Sequence, residues 1–364
     1  MATRARVTVL APVALLDYAN PHNRLLDAAG IPGRRTEGGL EVFHPRWLYP
    51  PYGGWLNAFF LFARLLWPVT RLRKQGAYDL IDAHFAHPEG VAAALLHLVL
   101  RVPFLVTLRG SEMRYRHQRL KCFWMGWALR RAGRVITVSN GLRDLAVKLG
   151  ADPACVKVIP NGINTEVFFR RDKASCRGEH GIPARQRVIL CAGDLAEMKG
   201  HHRIIRALKT LLDAGLSARL LIVGGIGRSG RFAETLRSLT VECGLQENVQ
   251  FMGEVKQETL AELMCAADVF CMASFSEGWP NVVNEALACG TPVVATDVGA
   301  VRQMITSECY GLIVPVEDAP ALAAALTFAL THDWNPQAIS AHGSHRPWDQ
   351  VAKEVVELAR ELVA

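Results

Sequence analysis

Ser274-Phe-Ser-Glu-Gly-Trp-Pro-Asn-Val-Val-Asn-Glu-Ala-Leu-Ala-Cys-Gly-Thr-Pro-Val-Val-Ala-Thr-Asp-Val298 joins a strand end, a glycine turn, a helix start and two spaced carboxylates. Just upstream, Asp268-Val-Phe-Cys-Met272 is a short apolar run of buried-strand type. Pro280 suits the first position of a helix that turns Val282, Val283, Ala286 and Leu287 inward, and Gly290 closes it. Thr291-Pro-Val-Val-Ala295 then begins the next strand. The first turn of such a helix has backbone N–H groups without intrahelical partners at the positive end of the peptide dipoles, which suits phosphate. Gly278 carries no Cβ, so a ligand can approach the main chain there. Glu277 can accept hydrogen bonds from sugar hydroxyls, and Glu285, about one helical turn beyond Asn281, can grip both hydroxyls of a ribose. The plainer alternative for two such acids is a pair of solvated surface charges.

Outward from this stretch the same rhythm repeats. Strands are predicted near residues 7–11, 78–83, 103–108 and 134–138, with helices near 55–74, 90–100 and 121–132. After a connection around 161–178, strands are predicted near 188–192, 219–223, 248–252, 268–272, 292–296 and 311–314. Helices near 201–214, 232–243, 260–266 and 319–330 separate them. Alternation of strand and helix implies mostly parallel sheets covered on both faces, here two doubly wound α/β domains. The boundaries fall at 1–165 and 166–347, with a final helix at 348–362 expected to return to the first domain.

At 364 residues, 50% hydrophobic and 21% charged, the chain can bury two ordinary cores. Its nine cysteines contain no Cys-x-x-Cys pair, which signals neither a zinc site nor a disulfide framework. They read as small core residues of a cytoplasmic protein. The apolar run after Arg4 and Arg6 is broken by Pro12, so a strand is preferred to a signal peptide, and no stretch is long and apolar enough for a membrane span. The net charge of +7 is concentrated: Arg109, Arg114, Arg116, Arg119, Lys121, Arg130, Arg131 and Arg134 share a segment with one acid, Glu112. With Phe123, Trp124 and Trp127, and with Phe59, Phe60, Phe62 and Trp67 nearby in sequence, this segment fits peripheral contact with an anionic membrane face. A nucleic-acid surface is the disfavoured reading, and an ordinary arginine-rich helix surface is the alternative to the membrane.

Residues 274–297 resemble the donor-binding segment of retaining GT-B-fold glycosyltransferases, the family called group 1 or family 4, with Ala273 where proline is usual. Ile159-Pro-Asn-Gly-Ile-Asn-Thr-Glu-Val-Phe168 is similar to the family's hinge signature, with Asn164 in place of aspartate. Gly193-Asp-Leu-Ala-Glu-Met-Lys-Gly200 resembles the loop whose two cations hold the donor diphosphate; Lys199 is retained and Asp194 replaces an arginine. Thr107-Leu-Arg-Gly-Ser-Glu112 corresponds to a His-Gly segment facing the donor sugar, with Arg109 for the histidine. Asp82-Ala-His-Phe-Ala-His-Pro-Glu89 is also similar; taken alone, His84 and His87 read as structural, too thinly spaced to claim metal. Gly224-Gly-Ile-Gly227 is a weaker signal that a tight turn also explains. At the amino terminus, either the family's first strand, helix and glycine loop are missing, or residues 7–11 fill the first strand slot.

The resemblance implies two Rossmann-like domains facing a cleft, and a retaining, metal-independent hexosyltransferase. A nucleoside-diphosphate sugar would lie on Gly193, Lys199, Glu277, Gly278, Pro280, Asn281, Val282 and Glu285, with Lys199, Glu277 and Arg109 as the catalytic candidates. No Asp-x-Asp pair in a suitable loop is present to hold a metal, so none is expected, and no cofactor. The family's usual mechanism is front-face substitution, in which the departing phosphate takes the acceptor proton. The basic aromatic segment suggests a lipid-linked or polysaccharide acceptor at the cytoplasmic face of the inner membrane, and no nucleic-acid partner is expected. Two rivals share the donor pocket: a GT-B nucleotide-sugar epimerase, and a noncatalytic or inactive nucleotide-sugar binder.

Overall fold

The structure, a computed structural model, describes residues 4–15, 30–50, 54–226 and 231–363. Gly227, in the expected glycine turn, lies outside the described residues, as do the ends of the apolar amino-terminal run. The chain divides into two compact units: residues 1–160 together with 349–364, and residues 161–348.

In unit 1, β1 (Thr8–Leu10) pairs in parallel with β4 (Leu40–Phe43), which pairs antiparallel with β3 (Arg34–Glu37). A two-stranded parallel ladder joins β2 (Val13–Ala14) to β5 (Arg46–Trp47). The main sheet is parallel, in the order β6 (Ile81–His84), β7 (Phe104–Leu108), β8 (Arg134–Thr137) and β9 (Val156–Val158). The strand at 7–11 is therefore present but does not join the main sheet among the described residues, which corrects the expected single sheet. It pairs instead with residues that the sequence pattern leaves unassigned. Helices α1 (Asn57–Lys74), α2 (Val91–Leu100), α3 (Arg119–Leu129) and α4 (Asn140–Lys148) connect these strands.

Unit 2 opens with a short helix, α5 (Lys173–Glu179), inside what the sequence reads as a connection. Asp172 caps it by accepting from the Ser175 N–H at 2.8 Å, a local signal of one residue that periodicity does not weigh. Six parallel strands follow: β10 (Val188–Ala192), β11 (Arg219–Val223), β12 (Val249–Gly253), β13 (Val269–Met272), β14 (Val293–Thr296) and β15 (Gly311–Val314). Their spatial order is β12-β11-β10-β13-β14-β15, so the winding direction reverses between β10 and β13. In open sheets of this kind ligands bind outside the carboxyl ends of the strands at that reversal.

Strand residues alternate between two apolar layers, which is why they read as unbroken apolar runs. On one side Val188, Leu190, Phe270, Met272, Val293 and Ala295 pack with α8 (Gln257–Ala266) and α9 (Asn281–Ala288). On the other, Ile189, Cys191, Val269, Cys271 and Val294 pack with Ile204 and Leu208 of α6 (His201–Asp213), Leu236 of α7 (Arg231–Glu242) and Leu326 of α11 (Ala319–Thr331). Between them come α10 (Val301–Met304), and later α12 (Pro336–Gly343) in a segment the sequence reads as polar and irregular. The last helix, α13 (Trp348–Val363), supplies Val351, Val355 and Leu358 to the unit 1 cluster of Leu105, Ile136 and Ile159. All nine cysteines are free.

Candidate active site

The loop that leaves β10 starts at Gly193, makes a short 3-10 turn over Glu197–Lys199 and enters α6 through Gly200. Gly200 has φ +71°, and a Cβ there would lie 1.9 Å from the carbonyl oxygen of Ala273, so this position demands glycine. That approach brings the end of β10 against the end of β13, and the Phe275 N–H donates to the Met198 carbonyl at 2.9 Å. The two loops are thereby stitched together at the reversal point of the sheet. One consequence is an ion pair: Lys199 Nζ lies 2.8 Å from Glu277 Oε1. Glu277 is the more enclosed partner, with 15% of its side chain exposed against 36% for Lys199.

Three residues that sequence reasoning missed hold these loops. His201, buried, places Nε2 at 3.2 Å from the Gly193 carbonyl and 3.1 Å from that of Asp194. Burial lowers its pKa, so it stays neutral and its Nε2–H can serve those carbonyls. Arg203 lays its guanidinium 3.5 Å from the centroid of the Phe275 ring and donates to the Ala273 carbonyl at 3.4 Å. Asn161 Nδ2 donates to Asn281 Oδ1 at 3.0 Å, tying the start of unit 2 to α9. The only sequence signal for the first two was their position just after Lys199-Gly200. Asp194, where a second cation was expected by resemblance, is exposed.

Helix α9 begins at Asn281, with Pro280 as its extended cap and not its first helical residue, a one-position correction. No side chain caps this end, so the N–H groups of Asn281 and Val282 have no carbonyl behind them in the helix. The side chain of Val282 packs against the core, which leaves its main chain as the polar group on offer. Gly278 and Glu277 lie under Gly299, whose φ is +56° and where a Cβ would come 2.4 Å from the Glu277 carbonyl oxygen. The loop after β14 therefore presses on the Glu277-Gly278 main chain. Glu285, one turn into α9, has no ion-pair partner among the described residues, and burial pushes its carboxyl up to about 7.

Gly193, Lys199, Glu277, Gly278, Pro280, Asn281, Val282 and Glu285 thus all sit in unit 2, on the loops after β10 and β13 and the helix that follows. Arg109 belongs to unit 1. Its Nε donates to His84 Nδ1 at 2.8 Å, and His84 Nε2 lies 3.4 Å from Asp82 Oδ2. Burial lowers the Arg109 pKa, opposed by the charges of Asp82 and Glu112. Glu112 is fully buried and accepts the Ala86 and Gly110 N–H groups, each at 2.9 Å, which shapes the loops around Arg109. His87 is buried with Nε2 at 3.3 Å from the Trp55 carbonyl, and burial lowers its pKa to about 4, a structural histidine.

Comparison with known proteins agrees with this architecture. Residues 172–346 match the family described as Glycosyl transferases group 1, and residues 18–167 match Glycosyltransferase Family 4. TuaC of Bacillus subtilis, a glycosyltransferase named for teichuronic acid biosynthesis, is 33% identical over 309 residues, covering 82% of this chain and 74% of that protein. Among solved structures, sucrose-phosphate synthase from Thermosynechococcus elongatus superposes with a TM-score of 0.76 at 22% identity, over 92% of this chain and 86% of that one. HepE from Anabaena, solved in complex with UDP-glucose, gives 0.70 at 23% identity over 97% and 92%. The matched family segments, the TuaC likeness and the two Rossmann-like units lead to one conclusion: the chain belongs to the group 1, family 4 glycosyltransferases of GT-B fold and is a sugar-transferring enzyme.

Proposed function

We propose that the sugar comes from a nucleoside-diphosphate donor bound on unit 2 and is transferred with retention, without a metal, to a glycan or lipid-linked hydroxyl. The observation that carries this reading is the Lys199–Glu277 pair beside the uncapped start of α9, with Glu285, which has no ion-pair partner among the described residues, one turn further in. Cation and helix terminus suit a diphosphate, and the two acids suit hydroxyls on either side of it. The UDP-glucose complex of HepE supports this donor class.

In the proposed step the acceptor oxygen bonds to the anomeric carbon as the bond from that carbon to the phosphate oxygen breaks. The acceptor proton passes to the departing phosphate. Lys199 and the α9 terminus stabilise the charge that grows there. Within unit 1, Arg109 is held by His84 in readiness for an anionic substrate group. Glu277 holds sugar hydroxyls and, by pairing with Lys199, keeps that cation in place before donor arrives.

The surface of unit 1 supports a membrane setting for the acceptor. Trp55, Phe59, Phe123, Trp124 and Trp127 form one ring cluster, and Phe123 and Trp67 are 58% and 67% exposed. Arg71 lies over the exposed ring of Trp67 and Arg131 over the half-buried ring of Trp127, so cations accompany these aromatics. No helix among the described residues is long and apolar enough to cross a membrane. Peripheral contact with anionic lipid at the cytoplasmic face of the inner membrane follows as the proposal. Flotation with phosphatidylglycerol vesicles at low salt tests it, and failure to float would remove the membrane from the reading.

The donor is tested by incubating the purified protein with a panel of nucleoside-diphosphate sugars and measuring thermal stabilisation and sugar release. One donor should raise the Tm and be consumed faster with acceptor present. Interconversion of the sugar without any acceptor would favour an epimerase, and binding without turnover a noncatalytic binder.

A further inference from the structure

Unit 1 holds a cavity at the start of α3. The short 3-10 turn Gly54–Leu56 and the chain entering α3 enclose about 280 Å³ between them. The wall is made of Gly54, Trp55, Gln118, Arg119, Leu120 and Lys121, which contribute two cations and no acid.

The positive charge there is uncompensated. The Lys121 ammonium lies 3.9 Å from the centroid of the Tyr115 ring and not on a carboxylate, and burial lowers its pKa with no acid opposing the shift. The Arg119 side chain makes no hydrogen bond or ion pair among the described residues. Glu112, the one acid in this basic stretch of sequence, gives both oxygens to main-chain N–H groups. Gln118 is extended and offers no side-chain cap, so the N–H groups of Arg119, Leu120 and Lys121 have no carbonyl behind them in the helix.

The border of the cavity has the opposite character. Leu56, Phe60, Leu120 and Phe123 are all exposed. Phe123 meets the ring of Trp124, which stacks at 6.2 Å on Trp55 in the wall. A seat for a free inorganic anion needs no such border. Unpaired cations ringed by exposed apolar side chains complement an amphiphile with a phosphate head and an apolar tail. At a membrane surface, lysine and arginine heads reach the lipid phosphates while apolar neighbours enter the layer below.

We infer that this cavity seats the phosphate of the acceptor's lipid anchor, with Arg119 and Lys121 holding the phosphate oxygens and the chain running over Leu120 and Phe123. The inference rests on the lipid-linked acceptor proposed above and deepens it: a general attraction to anionic lipid becomes one site that binds one lipid phosphate. No bond is made or broken there; the phosphate is held while the acceptor hydroxyl reacts elsewhere.

The test titrates the full chain with dihexanoyl phosphatidic acid below its micelle concentration, followed by calorimetry. One equivalent should bind, and dihexanoyl glycerol and inorganic phosphate should each bind at least about tenfold more weakly, since each lacks half of the recognition. Arg119→Gln and Lys121→Gln should each weaken the lipid about tenfold. Leu120→Ser should weaken the lipid and leave inorganic phosphate unchanged. Arg119 and Leu120 are exposed, so their variants leave the core of unit 1 intact. Lys199→Ala should bind the lipid as the parent does. The proposal is overturned if inorganic phosphate binds as tightly as the lipid, or if both charge variants keep the parent's affinity. Flotation of the parent on phosphatidylglycerol vesicles separates the two readings. Flotation without binding of the short-chain lipid removes the seat alone, and absence of both removes the membrane setting with it.

Discussion

In unit 2 the two acids and the lysine nominated for the donor are held by few partners among the described residues. Lys199 meets Glu277 through one contact, and Glu285 has no ionic partner among the described residues. In unit 1 the comparable groups are occupied by the framework. Glu112 gives both oxygens to main-chain N–H groups, His87 faces a carbonyl, and His84 stands between Arg109 and Asp82. The difference teaches where binding energy is available. A charge already satisfied by its own backbone shapes a loop, while one left weakly paired in a half-buried setting gains most when a ligand arrives.

The strongest way to break this comparison is Lys199→Ala. With the fold intact by circular dichroism, kcat should fall by about 10²- to 10³-fold, the size of effect seen when one preorganised charge-stabilising group is removed. A loss of less than threefold would place the leaving-group charge elsewhere. Next is Glu285→Ala, which should raise the donor KM by about 10- to 100-fold through lost charge-assisted bonds. Because the carboxyl titrates near 7 in the free protein, and the ionised form accepts the ribose hydroxyls, donor affinity should rise as pH increases through 7. Glu285→Gln should flatten that dependence. The same variant should be more stable than the parent at pH 8. A carboxyl raised from 4.5 to about 7 on folding favours the folded state fully below 4.5 and loses that advantage as pH rises through 7.

Smaller again is Arg109→Ala, expected to lower kcat/KM about tenfold, with partial recovery in Arg109→Lys. An Arg109 effect equal to that of Lys199 would erase the contrast between the units. The smallest effect is on acid stability. His87 titrates near 4 when folded and near 6.5 when unfolded, so its stabilisation is present above 6.5 and is lost as pH falls toward 4. His87→Gln should flatten the pH dependence of the unfolding free energy in that window by on the order of 1 kcal/mol.

The strands of unit 2 were legible because helices cover both faces and nearly all of their interior residues are apolar. Val188–Ala192, Arg219–Val223 and Gly311–Val314 fall where the sequence pattern places them. The glycine and acid spacing around residue 278 pointed to the same loops that the structure stitches together at Gly200 and Gly299. What stayed hidden was set by partners distant in sequence. The strand Thr8–Leu10 finds Leu40–Phe43 and not the main sheet, a choice no local pattern records. Arg109 meets His84 across 25 positions, and Cys265 meets Cys289 across 24. His201 reads as one more polar residue at a helix start until its ring is seen between two carbonyls.

The last helix has a consequence for biogenesis. Val351, Val355 and Leu358 complete an apolar layer whose other members, Leu105, Ile136 and Ile159, leave the ribosome some two hundred residues earlier. At about 5–20 residues per second the earlier sheet waits on the order of ten seconds or more with that layer uncovered, while unit 2 is synthesised in between. A chain stalled before residue 349 should therefore carry a folded second unit and an incomplete first one, inverting the usual amino-to-carboxyl order of domain maturation and giving chaperones a defined interval in which to bind.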